Sequence, residues 1–125
     1  MKKAESAAVF GKGALKIDIS RRDDVTVLHF NGEFIYDLVD EFQQYTDTLT
    51  DQDLKKVVLD FSGLEWLDSA AISAFLNLIH RCSRIGGRVA ACSAPLRVSK
   101  ILNLTRINLL LKTGTSFEDV KRHLG

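Results

Sequence analysis

The run from Lys55 to Gly87, KKVVLDFSGLEWLDSAAISAFLNLIHRCSRIGG, constrains the fold more than any other stretch of the chain. It parses into a strand, a short loop and a long helix that starts at a serine. Val57, Val58 and Leu59 form an unbroken β-favouring apolar run, the pattern of a strand covered on both faces in a parallel sheet. Asp60 and Phe61 close it. Apolar residues then recur at Ala71, Ile72, Phe75, Leu78, Ile79, Cys82 and Ile85, a helical stripe that stops at Gly86 and Gly87. Asp68 sits where an N-cap belongs, which places Ser69 in the first helical turn.

Unpaired backbone N–H groups and the positive end of the helix dipole favour an anion in that turn. A phosphoryl group on Ser69 would bring about −1.5 to −2 charges and three acceptor oxygens. The simpler reading is that Asp68 and Ser69 merely start a helix, because both residue types are common there.

The remaining chain reads as support for this unit. Residues 1–13 show no sustained period and are expected to form a flexible arm, with residues 14–125 as a single domain. Gly11-Lys12-Gly13 lacks the spacing of a phosphate loop. Leu15, Ile17 and Ile19 alternate with polar residues, and a short polar link, Arg21 to Asp24, leads to a second alternating run from Val25 to Phe30. So short a link implies an antiparallel hairpin. Asp37 is placed to cap a helix bearing Leu38, Val39, Phe42, Tyr45 and Leu49. Val89 to Cys92 reads as a fourth strand, Ser93 with Pro95 opens a helix with Leu96, Val98, Ile101 and Leu102, and Leu109 to Leu111 reads as a fifth strand. Ser116-Phe117-Glu118-Asp119 resembles a capping box for a short last helix with Phe117, Val120 and Leu124 inward. The expected fold is α/β: a mixed, mostly parallel sheet of about five strands with an antiparallel N-terminal hairpin and about four helices.

A length of 125 residues suits one well-packed core and is too short for two ordinary domains. No signal-peptide-like apolar run follows Lys2 and Lys3, and no stretch approaches the ~20 apolar residues of a membrane span, so a cytoplasmic location without membrane insertion is expected. Cys82 and Cys92 have no metal-ligand or redox-motif spacing and read as buried reduced thiols. A net charge of +1 argues against a general DNA binder, yet the charge is uneven. Residues 1–62 carry net −4 and residues 63–125 net +5, with no acidic side chain between Ser69 and Phe117. That is either a solvated basic face or a surface complementary to an acidic protein partner.

LEWLDSAAISAF on a strand-loop-helix near mid-chain, followed by IGGRVAACSAP, resembles the phosphorylation-site region of STAS domains, and more narrowly that of the bacterial anti-sigma factor antagonists, or anti-anti-sigma factors. The resemblance covers about Leu15 to Leu124. It implies a STAS fold and a non-enzymatic partner switch without cofactor or metal. In the family, the serine after the aspartate is phosphorylated by an anti-sigma factor that is a serine kinase; that position is Ser69 here, with Asp68, Ala70 and Ala71 as its immediate recognition surroundings. Unphosphorylated protein would bind the kinase and release the sigma factor, phosphorylated protein would let go, and a serine phosphatase would reset it. Gly32-Glu33 is similar to the family's G-E-[ILV]-D element, but Ile35 replaces its aspartate. Ala70 and Ala71 stand where a second Ser/Thr and a glycine are common, and alanine favours helix over glycine by about 0.8–1 kcal/mol. Arg106 stands where a glycine is frequent.

On the expected helix, Ser73, Leu76, Asn77 and His80 continue the flank that begins at Ser69, so with Gly32 and Glu33 they are the candidate partner-binding residues. Leu76 is either an ordinary exposed leucine or a partner anchor. Within the family, a STAS scaffold of a stress-signalling complex and a soluble STAS subunit docked on a membrane transporter are the alternatives. A two-component receiver domain would use Asp60 at the end of a central strand, but the acidic pair Asp23-Asp24 lies in a hairpin and cannot complete its Mg²⁺ site. A serine hydrolase would need glycines flanking Asp68-Ser69-Ala70, and His29, His80 and His123 are scattered.

Overall fold

The computed structural model describes residues 6–125. Six strands, β1 (Ser6–Phe10), β2 (Leu15–Arg22), β3 (Val25–Phe34), β4 (Lys56–Leu67), β5 (Arg88–Cys92) and β6 (Lys112–Gly114), form one sheet in sequential order. The β1–β2 and β2–β3 pairings are antiparallel and the other three are parallel. Helices α1 (Val39–Asp47), α2 (Ser69–Arg84), α3 (Leu96–Leu104) and α4 (Phe117–Lys121) complete the chain. This is the mixed α/β architecture expected from the order of elements, and the fold that the resemblance to STAS domains implies, with one strand more. Ser6–Phe10, expected as part of a loose arm, instead pair with Ile19 to Leu15; the first five residues of that arm lie outside the described residues.

The central strand explains the layering. Val57, Leu59 and Phe61 of β4 point to the face packed by α1, α2 and α3, whereas Val58 points to the opposite face, where Phe117, Val120 and Leu124 cover it. Burial on both faces is what the continuous apolar run requires. On the three-helix face, the rings of Phe30, Phe34, Phe42, Phe61 and Phe75 cluster, with Phe34 and Phe42 centroids 4.8 Å apart and Phe75 edge-on to Phe34 at 5.3 Å. Both cysteines are buried and free. Burial pushes the Cys82 thiol up to about 11 and raises that of Cys92, so neither is a thiolate near neutral pH.

The hairpin between β2 and β3 closes through Asp23 and Asp24, both at positive φ (52° and 65°), the backbone of a type I′ turn. Beyond Asp60, β4 does not end as its sequence suggests but runs on to Leu67. Register shifts between His29 and Asn31 and between Gly32 and Glu33 let β3 follow it. Gly63 makes this possible, since a Cβ there would overlap the Asn31 side-chain oxygen. The expected loop is therefore strand, and it delivers Leu67 directly to the start of α2.

Three other expectations are corrected. Asp37 caps nothing in α1; it lies in a 3-10 turn, Tyr36–Leu38, and α1 begins at Val39 without a side-chain cap. Pro95 occupies the N-cap of α3, and Leu96 faces solvent. Leu109 to Leu111 is not a strand: Arg106, at φ 61°, ends α3 and opens a 3-10 turn, Ile107–Leu109, so that pairing with β5 begins at Lys112 and only Leu111 turns inward. The left-handed backbone at Arg106 costs a non-glycine residue about 1–2 kcal/mol.

Candidate functional site

Ser69 is the first residue of the sixteen-residue α2 and is exposed to solvent. Asp68 holds it there. The Asp68 carboxylate, at an extended N-cap (φ −107°, ψ −176°), accepts from the Ala71 amide at 3.0 Å through one oxygen and from the Tyr36 amide at 2.9 Å through the other. Its own amide donates to the Phe34 carbonyl at 3.3 Å and its carbonyl accepts from Ile72 at 3.2 Å. Asp68 thus fastens the end of β3, the turn before α1 and the tip of α2 together. Asp68→Ala removes both side-chain bonds and is expected to cost about 2 kcal/mol, read as a lower midpoint in thermal denaturation. Asp68→Asn, which retains a capping oxygen, should lose clearly less.

The other sequence-derived site residues divide by environment. Ala71 is fully buried and Ala70 half-buried, so Ala71 serves the helix's docking rather than its outer surface. Ser73, Asn77 and His80 are exposed on the α2 flank. Leu76, expected as an exposed leucine or a partner anchor, is half-buried and packs against the main core. Glu33 is exposed, and its register partner is the part-exposed Trp66 on β4. Gly32 has a structural reason of its own: it lies at φ 113°, and a Cβ would overlap the Ala14 carbonyl oxygen that accepts the Glu33 amide at 3.0 Å.

Two shallow cavities run along the seam between α1 and α2. One, of about 510 Å³, is lined by Ala70 and Ser73 together with Tyr36, Asp37, Val39 and Asp40. The sequence reading missed those four. Asp37 and Asp40 make this end acidic, and no basic side chain lines it. The second, of about 460 Å³, brings Asn77 and His80 to Arg81 and Arg84 of the same helix and to Gln43 and Asp47 of α1. The Arg81 guanidinium donates to the main-chain carbonyls of Thr46 and Leu49, the latter at 2.8 Å, closing the end of α1 onto α2. The flank is therefore acidic beside Ser69 and basic three to four turns along.

A larger depression, about 840 Å³, lies on the opposite sheet face, where His29 and Asp60 meet at 2.9 Å. Asp60 is an interior residue of β4 there, not a strand-end residue as a receiver domain needs. Among the described residues, no group of three His, Cys, Asp or Glu side chains is placed to hold a metal ion.

A model of the STAS domain matches residues 16–120. A protein of Thermotoga maritima named as a candidate anti-sigma factor antagonist is 27% identical over 105 residues, 80% of this chain and 93% of the relative. A crystal structure of a Thermotoga maritima chain with the same designation superposes with a TM-score of 0.79 at 23% identity, covering 86% of this chain and 93% of the other. The anti-sigma factor antagonist SpoIIAA in its unphosphorylated form gives 0.68 at 14%, covering 86% and 95%. A sulfate transporter family protein of Wolinella succinogenes gives 0.67 at 16%, covering 78% and 82%. At these identities the structural likeness is one of fold.

Proposed function

The chain belongs to the STAS domain family, and from that membership we propose that it is an anti-sigma factor antagonist that works by partner switching. Unphosphorylated, it binds an anti-sigma factor that is a serine kinase; phosphorylation of Ser69 releases it, and a serine phosphatase restores it. One observation carries this reading: Ser69 stands exposed as the first residue of α2, on a tip held by Asp68. A kinase can reach that hydroxyl without opening the fold. The name of the Thermotoga maritima relative lends further support. The likeness to the Wolinella succinogenes protein keeps a second reading in view, a STAS subunit docked on a membrane transporter. A serine-kinase anti-sigma gene beside this one favours the first reading, and transporter genes the second.

The test is labelling with radioactive ATP and such a kinase, followed by mass spectrometry. One phosphate is expected, on Ser69, and Ser69→Ala should abolish labelling while retaining binding. A phosphate on Ser62 or Ser73, both also exposed, contradicts the assignment.

A further inference from the structure

Four leucines of α3 and the turn after it do not contribute to the core. Leu96 is 72% exposed, Leu104 83%, Leu109 75% and Leu110 58%. Leu96 and Leu104 flank Lys100 at four-residue steps, so the three share the outward face of α3, opposite its buried Val98 and Leu102. After α3 the chain turns sharply at Arg106, and the Asn108 side chain donates to the Asn103 side-chain oxygen at 3.0 Å. That fold-back sets Leu109 and Leu110 in the turn that follows the end of the helix carrying Leu104.

Arg97, Lys100, Arg106 and Lys112 are exposed along the same segment, in which no acidic residue occurs. Aliphatic side chains set among cations suit an anionic, apolar counterpart. Two features favour lipid over protein. The large apolar side chains exposed here are all leucines standing among cations, the composition of a surface that lies in a membrane interface. The leucines also protrude: the groove on the other flank of α3, lined by residues such as Ser99, Leu102 and Asn103, takes none of them. We propose that the outer face of α3 and the turn after it is a docking surface for an anionic lipid bilayer, with the leucines in the headgroup layer and the cations against lipid phosphates. No helix among the described residues is long and apolar enough to cross a membrane, so contact is confined to the interface. The leucine turn is separate from the Ser69 tip, because α2 and α3 both begin at the carboxyl ends of their parallel strands and the turn follows the other end of α3; only Leu96 and Arg97, at the start of α3, lie toward the edge that carries Ser69.

The test is co-sedimentation of the full chain with vesicles of phosphatidylcholine alone and of phosphatidylcholine with phosphatidylglycerol. Binding is expected to be about tenfold or more tighter on the anionic vesicles and to weaken with salt. Leu104→Glu with Leu109→Glu should reduce it to the level of neutral vesicles at an unchanged melting temperature. Lys100→Glu, which alters no apolar contact, should weaken it by a smaller factor. Equal binding to both vesicle types, no binding, or wild-type binding by the double variant overturns the proposal. So does a lipid-free self-association that the double variant abolishes, which would assign the face to a second copy of the chain.

Discussion

Phe75→Ala is expected to destabilise the protein by about 3–5 kcal/mol, the range for a large ring removed from a packed core. Phe75 is fully buried in α2 and meets Phe30, Phe34, Phe42 and Phe61 at centroid distances of 5.5, 5.3, 6.0 and 5.3 Å. These partners come from β3, α1 and β4, so a single side chain joins α2 to three other elements. Domains of this size are stable by only about 5–15 kcal/mol in total, so the loss takes up a large part of the margin. Urea denaturation followed by fluorescence would measure it as a fall in midpoint at similar slope. Phe75→Leu, which leaves a smaller void, should cost markedly less. A loss below about 1 kcal/mol for the alanine variant would show that the cluster does not anchor α2.

Phosphorylation of Ser69 is expected to leave stability almost unchanged and to weaken the kinase complex about a hundredfold, equivalent to about 2.8 kcal/mol. The two effects separate because the phosphate meets different surroundings in each state. In the free protein it sits at the positive end of a sixteen-residue helix, where an anion gains about 0.3–1 kcal/mol. That gain offsets repulsion from Asp68. In the proposed complex, the same dianion would have to be desolvated beside Asp68 and near the acidic seam of Asp37 and Asp40. Ser69→Asp and Ser69→Glu should weaken binding less than the phosphate does, since each supplies one carboxylate with fewer charges and acceptors. Thermal denaturation of the phosphorylated protein checks the first half of the expectation.

Much of this was legible from residues near one another in the chain. The alternation from Val25 to Phe30, the unbroken run at Val57 to Leu59 and the caps at Asp68 and Ser116 act over a few residues, and each stands where its local chemistry put it. What could not be read depends on pairing across long separations. Ser-Ala-Ala-Val-Phe of β1 has no alternation and becomes a strand because β2 offers it an edge. Ser62-Gly63 looks like a break until β3 is seen to need that glycine as a bulge. The leucines at 109 and 110 have strand propensity but no partner in register, and the pairing falls to Lys112.

The site followed the same division. Ser69 and its cap were apparent from the sequence, whereas the bond from the Tyr36 amide to Asp68 spans 32 positions and carried no local signal. The acidic seam likewise joins residues 37 and 40 to residues 70 and 73. Asp37 had a different expected role, as a helix cap; its actual place beside α2 follows from the 3-10 turn that Asp68 holds.

The central claim is that an exposed Ser69 hydroxyl governs binding. Isothermal titration calorimetry tests it most directly, by comparing unmodified protein with protein phosphorylated stoichiometrically at Ser69, each titrated into the serine-kinase anti-sigma factor with a non-hydrolysable ATP analogue. The predicted result is tight binding by the unmodified form and an affinity about a hundredfold lower for the phosphorylated one. Equal affinities for the two forms would contradict the account.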